Sequence, residues 1–241
     1  DLRLHRIVRP LLVLPSRRRV YPRGRLACHL VGRLGTVERG REPAPPPGAD
    51  VPGKRYLAGD DYGITPCGIL AMDMARVEAG LFMVDVDYNA STHTWIEGQK
   101  SSPLEMGLDW AVNLDKKGYF NGRRALEREK REGSSWKLVG LDIDWVGLEK
   151  LYGDVGLPPQ IPSMAVRGSL PVMIDGKQIG YASTSTWSPV LKKYIALAHI
   201  QRPYYEPGTQ LTIEITVEHH RKQSPAKVVK LPFYDPAWKK K

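Results

Sequence analysis

SLPVMIDGKQIGYASTSTWSPVLKKYIALAHI, residues 169–200, decides the fold. It contains three short runs with strand character, 169–174 (SLPVMI), 178–183 (QIGYAS) and 195–200 (IALAHI). Alternating apolar residues over so few positions fit strands better than helices, which need about 10–12 residues. Asp175-Gly176 between the first two runs is a hairpin pair, because both residues tolerate positive φ. Ser188-Pro189 predicts a helix of one or two turns before the third run. Working outward, similar runs stand at 137–143 (KLVGLDI), 211–217 (LTIEITV) and 226–231 (AKVVKL), with a turn at Pro207-Gly208. Six short strands with little helix predict a small antiparallel barrel or sandwich over the last hundred residues.

The region before it mixes helix and strand, so the fold class is α+β. Thr65 and Pro66 are a cap and first-turn pair, and the spacing predicts a helix over 66–79 ended by Gly80. Ile69, Met72 and Val77 fall near one face of it, and Asp73 and Arg76 share another. Residues 81–88 (LFMVDVDY) read as a strand and 89–101 as a polar loop. Ser102 and Glu105 have capping-box spacing around Pro103. LDWAVNL at 108–114 reads as extended, and 121–132 as a helix capped by Asn121 and ended by Gly133.

The net charge of +10 raises nucleic acid as a partner. Its distribution argues otherwise. Residues 1–55 hold 13 Lys+Arg against 4 Asp+Glu, twelve of the 13 being Arg, whereas 56–241 hold 23 against 22. The basic signal therefore belongs to one Arg/Pro/Gly-rich segment with no sustained period. Three readings of it stand side by side: a phosphate-gripping arm, a disordered terminus, or translation out of frame.

Chemical motifs are few. Cys28 and Cys67 have no metal-ligand spacing and read as free thiols of a reducing, cytoplasmic setting. The six histidines form no metal set, so no metal is expected. No phosphate loop, dinucleotide fingerprint or nucleophile elbow occurs. No apolar run approaches the roughly 18–20 residues of a membrane helix, so no membrane partner is expected. The chain starts at Asp1, which favours a fragment.

Four stretches, in order, resemble one family. YGITPCGILAMDMARVEAGL at 62–81 resembles the segment in which a Tyr-Gly turn leads into a helix ending R-x-E-A-G. SSPLEMGLDWAVNLDKKGYFNGRRAL at 101–126, GYASTSTWSPVLKKYIALAHI at 180–200, and PGTQLTIEI with KVVKLPFYDP towards the end follow the same family. On these residues the chain resembles the C-terminal half of the glycine cleavage T-protein (aminomethyltransferase) family. Its 89–101 loop is longer than in the glycine-cleavage protein itself, which points to a divergent, demethylase-like member.

The resemblance implies three parts: the basic segment 1–55, the end of a folate-binding domain at 56–135, and a C-terminal β-barrel at 136–241. It implies transfer of a one-carbon group to tetrahydrofolate from a small methyl or methylene donor. The Asp that assists transfer is expected in an N-terminal half this chain does not match, so the chain alone is expected to be inactive. The alternatives are a non-catalytic folate-binding relative and a nucleic-acid module using the basic arm. For the folate pocket the candidates are Arg76, whose planar donor fork suits a ligand, and Glu78, together with Trp110, Tyr234 and Trp238. Against ligand contact stand a salt bridge of Arg76 with Asp73 or Glu78, and core packing for Trp110 and Trp187.

Overall fold

In the computed structural model, residues 68–237 are described. The segment 1–55, the Thr65-Pro66 cap, both cysteines and Trp238 lie outside them. Six antiparallel strands, β1 (Trp136–Ile143), β2 (Val166–Ile174), β3 (Lys177–Ser188), β4 (Lys193–Gln201), β5 (Gln210–Val217) and β6 (His220–Val229), close in the order β1-β4-β3-β2-β5-β6. The sandwich alternative is thereby excluded. Closure comes from the antiparallel pairing of β1 with β6, Gly140 opposite Val229 through Ile143 opposite Ala226. The β2–β5 seam that completes the circuit is short, Val172 opposite Ile213 and Met173 opposite Thr212.

The alternation in sequence becomes two cores. Inward-facing Leu141, Ile143, Val172, Ile179, Ala196, Ala198, Ile200, Ile213 and Val228 fill the barrel. The opposite face of β4 contributes Ile195 and Leu197 to a second cluster outside the barrel, with Val77, Met106 and Leu138. Both faces of β4 are therefore buried, which explains its nearly unbroken apolar run. At the expected hairpin, Asp175 and Gly176 take φ of 49° and 76°, and Ile174 pairs with Lys177 across it. A second hairpin places Glu218 and His219 in the same left-handed region, between the paired Val217 and His220. The sequence gives no signal for that one, because neither residue is Gly, Asn or Asp.

Helix α1 (Ile69–Glu78) lies within the expected 66–79 span, and α2 (Arg123–Glu132) ends at Gly133 as read. Its N-cap is Gly122 in the left-handed region, with no side-chain cap, so Asn121 does not cap it. Helix α3 (Trp145–Gly153) was not expected, because two glycines in nine residues obscure its period. Asp144 caps it by accepting from the Gly147 N–H at 2.9 Å. Gly147 itself is required: a Cβ there would meet Pro225 Cδ of β6 at 2.6 Å. Replacing Asp144 by Ala is expected to cost about 1 kcal/mol in urea denaturation, the usual worth of an N-cap.

Three other expectations give way. Residues 81–88 form a turn, not a strand, held by a single Val84–Tyr88 bridge. The Asp87 carboxylate captures the Met83 N–H and the Asp87 N–H returns to the Met83 carbonyl, so the backbone groups a ladder needs are used locally. Residues 108–114 contain a 3-10 turn at Asp109–Ala111, closed by Ala111 N–H to Leu108 O. Residues 189–192 are a turn joining β3 to β4, with Lys192 at φ 53°, and not a helix. Ser188 still caps it, accepting from the Leu191 N–H at 3.0 Å. The first barrel strand begins at Trp136, and Ile69–Tyr234 hold together as one unit.

Candidate functional site

The buried face of α1 is its charged one. Asp73, Arg76, Val77 and Glu78 are buried, whereas Ile69 and Leu70 are exposed. A charge is tolerated in such a place only when it is paired and hydrogen-bonded. The Arg76 guanidinium meets that requirement with four bonds. Nε donates to Asp73 Oδ1 at 2.8 Å, Nη1 to Asp87 Oδ2 at 2.5 Å and to Leu81 O at 3.2 Å, and Nη2 to Thr184 Oγ1 at 3.0 Å.

Asp87, 2% exposed, is saturated. One carboxylate oxygen accepts from Arg76 and the Met83 N–H. The other accepts from Ser183 Oγ at 2.6 Å and Thr184 Oγ1 at 2.7 Å, filling the four acceptor positions of a carboxylate. Its backbone carbonyl takes a bond of 2.6 Å from His199 Nε2. A carbonyl only accepts, so Nε2 carries the proton. Burial lowers the His199 pKa, so the ring is neutral at pH 7. Asp73 is further held by Arg167 of β2, whose Nε and Nη2 donate to Oδ2 at 3.1 and 2.9 Å.

The hydroxyl-rich run STSTWS of β3 thus has a function in the fold. Ser183 and Thr184 serve Asp87, Ser185 meets the Tyr194 hydroxyl at 3.1 Å, and Ser188 donates to Glu78 Oε1 at 2.6 Å. The hydroxyls buried on a barrel strand were the available signal for Ser183 and Thr184, which sequence reasoning did not single out, as it did not Asp87 or Arg167.

The sequence-predicted residues separate into two groups. Arg76, Glu78 and Tyr234 gather at the end of α1, where the Tyr234 N–H donates to Glu78 O at 2.8 Å. Close by, a Cβ at Gly80 would lie 3.2 Å from Pro232 Cα, so the chain after β6 passes tightly over this turn. Trp110 stands on the 3-10 turn and is 73% exposed, so the core-packing reading fails for it. That reading holds for Trp187, which packs against Trp145 with ring centroids 5.0 Å apart. Ser102 and Glu105 do form the reciprocal capping box, at 3.0 Å each way, around a turn and not a full helix. Among the described residues no group of three or more His, Cys, Asp and Glu is placed to hold a metal, and no helix is long and apolar enough to cross a membrane.

A closed six-stranded antiparallel barrel, with an arginine–carboxylate clasp fixing a helix to its flank, defines a β-barrel domain. Residues 155–235 match the family model described as "Glycine cleavage T-protein C-terminal barrel domain". An aminomethyltransferase of Parasynechococcus marenigrum is 36% identical over 174 residues, 72% of this chain and 39% of that protein. One from Prochlorococcus marinus is 34% identical over 172 residues, 71% of this chain and 38% of that protein. The chain therefore spans about two fifths of the length of these relatives. The crystal structure of the glycine cleavage system aminomethyltransferase T from Bartonella henselae shares the fold, with a TM-score of 0.55 and 22% identity over 76% of this chain and 44% of that one. Residues 155–235 therefore carry the C-terminal barrel domain of the glycine cleavage T-protein family.

Proposed function

We propose that this protein is a tetrahydrofolate-dependent one-carbon transferase, acting on an amine, ether or sulfonium donor in the cytoplasm. The chain supplies the barrel and part of the folate pocket. The observation that carries this reading is the long match to aminomethyltransferases, over 172–174 residues at 34–36% identity. The transfer chemistry is assigned to a carboxylate outside these 241 residues, so the chain alone is expected not to turn over.

Its residues fit a folate ligand in a particular way. An indole exposed on a short turn, Trp110, offers a flat apolar face for an aromatic ring. Tyr234 brings the tail back to α1, and Trp238, four positions further in the sequence, is a second aromatic candidate for folate. Arg76 and Glu78 are best read as positioning groups. Four of the five guanidinium N–H groups already have acceptors in the protein, and Glu78 is held by Ser188. Their work is to fix the helix that borders the pocket. Holding donor and folate N5 together lowers the entropic part of the barrier.

Calorimetry with tetrahydrofolate on protein from the complete reading frame tests the assignment. Trp110→Ala is expected to weaken binding about tenfold, the worth of a stacked ring pair. Unchanged affinity would remove Trp110 from the pocket. Tight binding without turnover on any amine, ether or sulfonium donor would favour the non-catalytic folate-binding relative.

A further inference from the structure

A cavity of about 350 Å³ opens on the barrel flank, away from the interior core. Its walls come from the 82–101 turn and loop, from β1, β3 and β4, and from the capping turn at Glu105. Aromatic rings dominate one side. Tyr181 stacks on His199 at 5.0 Å with 19° between planes, and Trp136 lies 6.4 Å from Tyr181. Tyr88 lines the same space.

The charges are uneven. Asp87 is neutralised by Arg76, and Lys100 at the rim is paired with Glu97. His199 is neutral. Glu105 is half-buried and, among the described residues, has no cationic partner. Its carboxylate accepts from the Ser102 N–H, and burial together with the nearby Glu129 charge raises its pKa. An incoming cation would relieve that cost.

We propose that this cavity binds an alkylated onium cation, an organic ammonium or sulfonium, against the Trp136 and Tyr181 rings with Glu105 as its counter-charge. Aromatic faces attract such ions through the ring quadrupole, and the attraction is strongest where water is excluded. A strongly hydrated inorganic ion would gain little from the rings. A neutral ligand of the same shape would leave Glu105 without a partner. The site is separate from the folate reading and does not depend on it.

Titration of the full chain with choline chloride, and in parallel with the uncharged isostere 3,3-dimethylbutan-1-ol, tests the proposal by ligand-observed NMR. Saturable choline binding is expected, with the isostere at least about fivefold weaker. Glu105→Gln, which keeps the capping acceptor, is expected to weaken choline about fivefold or more. Tyr181→Leu, on a different element, should do the same and serves if the first variant fails to fold. Equal binding of the isostere overturns the proposal, as does no saturable choline binding or indifference to both substitutions. Tetrahydrofolate affinity unchanged in Glu105→Gln keeps the two sites distinct.

Discussion

Arg76→Leu is expected to lower the stability of the folded unit by roughly 3–5 kcal/mol, the range for removing one partner of a buried ion pair. The substitution leaves Asp87, 2% exposed, with no cation, while Asp73 keeps Arg167. Ser183, Thr184 and the Met83 N–H would still donate to Asp87, but three neutral donors do not offset a buried charge. Adding Asp87→Asn to Arg76→Leu should recover at least about 1 kcal/mol, because the uncompensated charge is gone. Urea denaturation of the single and double variants measures both quantities. A loss below about 1 kcal/mol for Arg76→Leu would show that the clasp does not hold the helix to the barrel.

Gly180→Ala is expected to have an effect of similar size for a different reason. Gly180 pairs with Ile200 across the β3–β4 ladder. A Cβ at Gly180 would stand 2.2 Å from the His199 carbonyl oxygen and 2.7 Å from Ile200 Cδ1. The carbonyl belongs to a strand buried on both faces and cannot step aside, so the ladder must distort, at about 3 kcal/mol or more. Gly168→Ala is the control. No atom lies within 4 Å of a Cβ built there, and its stability should stay within about 0.5 kcal/mol of the parent. Equal midpoints for the two variants in thermal unfolding would contradict the packing described for β3 and β4.

The strands were legible because they are short apolar-rich runs, alternating in β5 and nearly unbroken in β4, bounded by turn signals, and a turn pair such as Asp175-Gly176 fixes one register locally. Closure was not legible. The pairing of β1 with β6 and of β2 with β5 joins segments far apart in sequence, and no local pattern records which distant strand is the neighbour. Which face of α1 is buried was not legible for a related reason. Of Ile69, Met72 and Val77, which fall near one face, only Val77 is buried; the helix turns Asp73, Arg76 and Glu78 inward beside it, because Thr184 and Ser188 lie about a hundred residues later to receive Arg76 and Glu78. The 81–88 turn follows from the same network, since the buried Asp87 draws the Met83 N–H out of any ladder.

At the candidate site, the family resemblance named Arg76, Glu78 and Tyr234 together, but no sequence pattern could show that the arginine spends four of its N–H groups on the protein. Sequence pattern also favoured burial for Trp110, because apolar neighbours are the usual mark of a core residue. In the structure that indole is 73% exposed.

The most direct measurement is calorimetric titration of tetrahydrofolate into the unsubstituted protein from its complete reading frame. The account predicts saturable one-to-one binding with a Kd between about 1 μM and 1 mM, the usual range for an enzyme and its substrate. A folded protein giving no heat and no saturation in that range would contradict it.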